Sequence, residues 1–131
     1  MPEFTSAERH FLEKHEIARL ATISAEGTPH VVPVSYVFRD NVFLIVVDYG
    51  TKKYRNLLRN SKAALVVDTS SPNRAIMIQG HAEIFEKGLE FRRAYEAFHK
   101  RFTWVRADPW NEGEAPFIRI KPVKKTSWGF S

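Results

Sequence analysis

Three short apolar or alternating runs, joined by brief turn signals, lie between Ala18 and Val47. No other feature restricts the fold as strongly. Residues 20–24 read as a strand, Glu26-Gly27-Thr28 as a turn, and residues 30–38 as a second strand. Arg39-Asp40-Asn41 turns the chain again. Residues 42–47 then form a wholly apolar run, as in a barrel wall or sheet centre. Such runs, closely joined, pair with their sequence neighbours as antiparallel hairpins. Pro33 lacks an N–H group, so the second strand is expected to run along an edge or carry a bulge there.

The rest of the chain extends this pattern. Thr5-Ser6-Ala7-Glu8 reads as a capping box opening a helix to about residue 16. Residues 63–68 and 75–85 read as strands, the second interrupted by Gly80. Residues 89–104 read as a helix whose Phe91, Tyr95, Phe98 and Phe102 share a face, best explained as core packing. An irregular stretch rich in Asp, Pro, Trp and Gly follows, and residues 117–121 and 126–130 read as terminal strands around Pro122. The expected fold is therefore mainly β. It is a small antiparallel barrel of six or seven strands with three peripheral helices, forming one domain over residues 1–131.

Composition narrows the function classes. There are no cysteines, so disulfides and thiolate chemistry are excluded. The start of the chain does not read as a signal peptide, and the longest apolar run is far too short to span a bilayer. A cytoplasmic protein without a membrane partner is expected. The net charge is +5, which favours an anionic ligand: nucleic acid, a phosphorylated metabolite or a phosphate-bearing cofactor.

The positive charge is concentrated after the third strand. In "VVDYGTKKYRNLLRN", Thr51 is a candidate N-cap, and Tyr54, Leu57 and Leu58 are expected to share the inner face of a helix. Lys52, Lys53 and Arg55 fall at its start, with Arg59 further along. Cations there oppose the helix dipole, and acidic residues would be the stabilising choice. The pattern fits an anion held by helix N–H groups, or a solvated basic face. Five histidines show no metal-ligand spacing, and no acid–base catalyst or nucleophile stands out, so neither a metal site nor a catalytic side chain is expected. Trp128 either seals the core or stacks on a planar ligand. Nucleic-acid binding would need aromatics interleaved with cations on strands, and the cations here cluster on a helix start.

Four segments together resemble the pyridoxamine 5′-phosphate oxidase-like split barrels, which bind flavin or deazaflavin. They are "ARLATISAEGTPHVVPVSYVF", "VVDYGTKKYRNLLRNSKAALVV", "RAIMIQGHAEIF" and "FIRIKPVKKTSW", running in the family's order over most of the chain. The resemblance implies that Lys52 and Lys53 hold the cofactor phosphate, with Arg55 as a helper. It implies that Val46 and Val47 lie against the ring or ribityl chain. It also implies that residues 30–35, including Val32, Pro33, Val34 and Ser35, present backbone groups to the ring edge. Trp128 would approach the cofactor, commonly from the partner subunit of a homodimer with the cofactor at its interface.

Two departures set this chain apart from true pyridoxamine phosphate oxidases. It ends at Ser131, without their substrate-gripping tail, and Ala75 stands where they carry a cofactor-contacting Gln. The expected activity is therefore an FMN- or F420-dependent oxidoreductase acting on a small molecule. A non-catalytic flavin carrier is the alternative, and haem binding, which occurs in relatives of this fold, is a minor one. FMN and F420 share a tricyclic ring, a ribityl chain and a phosphate, so the Lys pair would serve either.

Overall fold

The computed structural model describes residues 2–130; Met1 and Ser131, on which the expected early chain end rests, lie outside that range. Helix α1 (Ser6–Lys14) starts behind the expected capping box. The Glu8 N–H donates to the Thr5 hydroxyl at 3.1 Å, and the Thr5 N–H donates to the Glu8 carboxylate at 2.8 Å. Strands β1 (Ile17–Ile23), β2 (Pro29–Arg39) and β3 (Val42–Val46) follow. Next come α2 (Lys52–Arg59), β4 (Lys62–Ser70), β5 (Asn73–Phe85), α3 (Gly88–Arg101), α4 (Thr103–Ala107) and β6 (Phe117–Trp128). The strands close an antiparallel barrel in the order β1-β2-β3-β6-β5-β4.

The β2–β3 connection is a two-residue turn in which Asp40 and Asn41 both adopt positive φ, at 54° and 64°. Asp and Asn tolerate that conformation, and its twist matches the strands it joins. It sets the register Arg39↔Val42 through Tyr36↔Ile45, where the ladder stops.

Two expectations change. The terminal pair of strands is one continuous strand, β6, so the barrel has six strands. Pro122 is accommodated because the β5–β6 register shifts at Gln79/Gly80, putting Pro122 opposite Gly80 and leaving Val123 as the extra residue of a bulge. The helix expected over residues 89–104 breaks at Phe102, giving four helices in all. Phe102 adopts an extended backbone, and its ring stays within 5.3 Å of the Phe98 ring and 5.6 Å of the Trp104 ring.

Inside the barrel, alternate residues such as Leu20, Tyr36, Phe43, Leu65, Ile78 and Ile120 are fully buried. The Tyr36 hydroxyl donates to the Leu12 carbonyl at 2.6 Å and ties α1 over the barrel. A second cluster forms outside, where Phe91, Phe98 and Phe102 of the α3 stripe pack on Phe117, Val37, Leu44 and Val46. The stripe is core packing, as expected. On the opposite wall, an apolar groove of about 620 Å³ is lined by strand residues alone, among them Ala21, Ala64, Gly80 and Val123. Among the described residues, no helix is long and apolar enough to cross a membrane.

Candidate cofactor site

The early stop of the β2–β3 ladder creates the site. Ser35 and Val46 would be the next pair, but the β2–β3 ladder ends at Tyr36↔Ile45, while Val46 keeps its partner Phe117 on β6. The first half of β2, residues 29–35, therefore pairs only with β1. The Tyr36 N–H donates to the Glu16 carbonyl and the Ser24 N–H to the Thr28 carbonyl, which fixes which residues face β1. By antiparallel alternation, Val31, Pro33 and Ser35 direct their backbone groups the other way, along a free edge. Pro33 thus sits where a missing N–H costs no ladder bond, and the edge expectation holds. Their side chains point outward, with Pro33 exposed and Ser35 half-buried, while Val34 is buried and Val32 packs on the barrel core.

Across the opening, β3 runs into a tight turn and then α2. The Thr51 N–H and hydroxyl both donate to the Asp48 carbonyl, at 3.2 and 2.7 Å. The Thr51 hydroxyl in turn accepts from the Tyr54 N–H at 3.4 Å, making Thr51 the expected N-cap. Arg55 folds back and donates to the Gly50 carbonyl at 2.8 Å. The first turn holds Lys52 and Lys53 and no acidic residue. Among the described residues, neither lysine has a carboxylate within 4.0 Å. Lys52 is exposed, and Lys53 is half-buried beside Val46 and Val47.

Helix α2 is held rigidly. Tyr54 and Leu57 are buried, and the buried Asn56 amide donates to the Thr22 hydroxyl at 3.0 Å. Leu58, expected on the inner face, is exposed; Asn56 is buried instead, because Thr22 satisfies it. The Tyr54 hydroxyl donates to Glu86 at 3.3 Å, and burial, then that carboxylate, pushes its pKa up. In the β1–β2 turn, the Glu26 carboxyl is held below its ordinary range by its own backbone N–H and by Ser24, with Lys52 and Arg59 adding their charge.

The structure brings Val46, Val47 and Lys53 to one cavity, with Lys52 beside Lys53 in the first turn of α2. It does not bring Trp128 there. Trp128 pairs with Ala75 at one end of β6, while Val46 pairs with Phe117 at the other. Twelve residues of strand at about 3.3 Å each separate those ends by up to roughly 35 Å. Nor does Trp128 seal the core: it is 48% exposed, and its indole N–H donates to Asn73 at 3.2 Å. Sequence reasoning missed the locking roles of Arg55 and Asn56. Both depend on contacts that helical periodicity does not encode.

The family model for pyridoxamine 5′-phosphate oxidase matches residues 4–129. The chain belongs to the pyridoxamine 5′-phosphate oxidase family. A relative in this family's range, a 5a,11a-dehydrotetracycline/5a,11a-dehydrooxytetracycline reductase of Streptomyces rimosus, is 32% identical, with the alignment covering 96% of this chain and 83% of that protein. Among solved structures, a haem storage protein of Vibrio cholerae superposes with a TM-score of 0.79 at 16% identity, covering 92% of this chain and 89% of that one. An F420 reductase superposes with a TM-score of 0.71 at 21% identity, covering 96% and 98%. At those identities the two structures establish a shared fold. Proteins of this shape thus include a haem storage protein and an F420 reductase.

Proposed function

We propose that the chain is a flavin- or deazaflavin-dependent reductase, with FMN as the first choice of cofactor and F420 as the alternative. The observation that carries this reading is the pair of lysines at the start of α2 that, among the described residues, have no ion-pair partner. The helix start offers bare N–H groups and two ammonium groups to a phosphate. Val46 and Val47 supply an apolar surface for a ring system, and the outward backbone groups of Val31 and Ser35 match the polar rim of a flavin. When bound, the cofactor supplies the hydride chemistry, and the chain binds, orients and shields it. The dehydrotetracycline reductase relative favours reduction of a small organic molecule over a purely carrier role.

The working unit in this reading is a homodimer. The helix-free apolar groove, with Ile17 and Val123 half exposed beside it, is the kind of surface a second copy covers. Trp128 lies too far from Lys52 within one chain, so it reaches a cofactor only by crossing from a partner.

The test is titration of the purified protein with FMN, F420 and haem, followed by absorbance and melting temperature. Micromolar FMN or F420 binding should raise the melting temperature by several degrees. Turnover of the reduced cofactor with a panel of conjugated acceptors then separates a reductase from a carrier. A protein that ignores both FMN and F420 would overturn the reading.

A further inference from the structure

Beside Lys53, on the side away from the β1–β2 turn, lies a second cavity of about 340 Å³. Its floor is Val46 and Val47, and its far wall comes from the segment that follows α3. Two features of that wall point to a guest. The first is aromatic. The Trp104 and Trp110 indoles both line the cavity and lie within 10° of parallel, with ring centres 6.1 Å apart. Trp104 is 40% exposed although aromatic neighbours surround it. The second feature is charge. Asp48, Asp108 and Glu114 line the cavity against the single cation Lys53, and no ion pair within 4.0 Å ties Lys53 to any of them.

An anion is a poor guest there, and a cation is a good one. Indole faces attract cations, and three carboxylates around one ammonium leave a negative field. Flat indole surfaces also favour flat guests. We propose that this cavity is the substrate pocket, and that it takes a planar, ring-bearing molecule carrying a protonated amine. The inference rests on the cofactor reading above, since Val46 and Val47 are the shared wall between the two sites. It divides the two lysines: Lys52 faces the cofactor phosphate alone, and Lys53 stands between phosphate and substrate.

The probe is 9-aminoacridine, a planar three-ring cation at neutral pH, with acridine-9-carboxylate as the anionic counterpart. Each is titrated calorimetrically into the protein, with and without FMN. The cation should bind at least tenfold more tightly than the anion, and added salt should narrow the gap. Trp104→Ala, and separately Asp108→Asn with Glu114→Gln, should each weaken the cation by about tenfold and leave FMN affinity unchanged. Equal binding of the two probes, or variants that bind the cation as the parent does, would overturn the proposal. So would variants that lose FMN together with the cation, because the cavity would then belong to the cofactor. If FMN binds and the cation does not, the pocket assignment fails and the cofactor reading stands. If the cation binds through Trp104 and FMN does not bind, the cofactor reading fails and the cavity remains a binding site for planar amines.

Discussion

The ammonium of Lys125 on β6 lies 2.6 Å from the carboxylate of Glu8 on α1, and the Glu8 side chain is only 4% exposed. The other Glu8 oxygen accepts from the Ser127 hydroxyl at 2.6 Å. One carboxylate thus caps its own helix and pins that helix to the last strand. Glu8→Gln keeps the shape and removes the charge, leaving the Lys125 ammonium largely buried without a counterion. Chemical denaturation should show a loss of about 3 kcal/mol for Glu8→Gln and a comparable loss for Lys125→Met, since each leaves a buried charge unpaired.

The same contact predicts acid sensitivity. Burial pushes the Glu8 carboxyl up, but Lys125, Ser127 and the Thr5 N–H outweigh it, and the net shift is downward from 4.5. Glu83 is lowered likewise, its own burial outweighed by Arg119 and Lys121. A carboxyl with a folded pKa below its unfolded value contributes fully above the unfolded value and loses that contribution as pH falls through the folded one. Stability measured against pH should be level near neutrality and fall below about 4.5, and Glu8→Gln should flatten the fall.

Gly80 tests the bulge. A Cβ at this position would stand 2.0 Å from the Lys121 carbonyl oxygen, which is backbone and cannot yield. Gly80→Ala should cost more than about 3 kcal/mol or prevent accumulation of folded protein. Gly50→Ala, with nothing within 4 Å, is the control and should stay within about 1 kcal/mol.

Lys52→Ala and Lys53→Ala should each weaken FMN or F420 by about tenfold, and the double variant by about a hundredfold or more. Both side chains lack ion-pair partners, so the melting temperature of the cofactor-free protein should hardly move. Normal cofactor affinity in the double variant would refute the phosphate assignment.

Trp128→Ala tests whether that indole reaches the cofactor. Its side chain is half exposed, so the isolated chain should keep its stability. Cofactor affinity should fall by several-fold. An unchanged affinity would remove Trp128 from the site.

The barrel was legible because hairpin turns announce themselves locally: Gly27 takes φ 81°, and Asp40 and Asn41 take positive φ, as their side chains permit. The capping box at Thr5 and Glu8 and the N-cap at Thr51 were legible for the same reason. The merging of two expected strands into β6 was hidden, because Pro122 is tolerated only through Gly80, which stands far away in sequence. The inner face of α2 was misjudged at Leu58, since the burial of Asn56 depends on Thr22 in β1. The Lys pair could be read from its unfavourable place on the helix. The walls around Lys53 could not, as Trp104 and Glu114 reach it only after α3 has folded back across β3.

The free edge of β2 has a meaning for the chain in a crowded solution. An exposed strand with unsatisfied donors is a template on which other strands can grow, the first step toward fibrils. Pro33, in the middle of that edge, offers no donor to an arriving strand, and Pro29 stands at its start. An arriving strand thus meets an edge missing two of its donors, so the two prolines leave that edge unpaired without leaving it a template for aggregation.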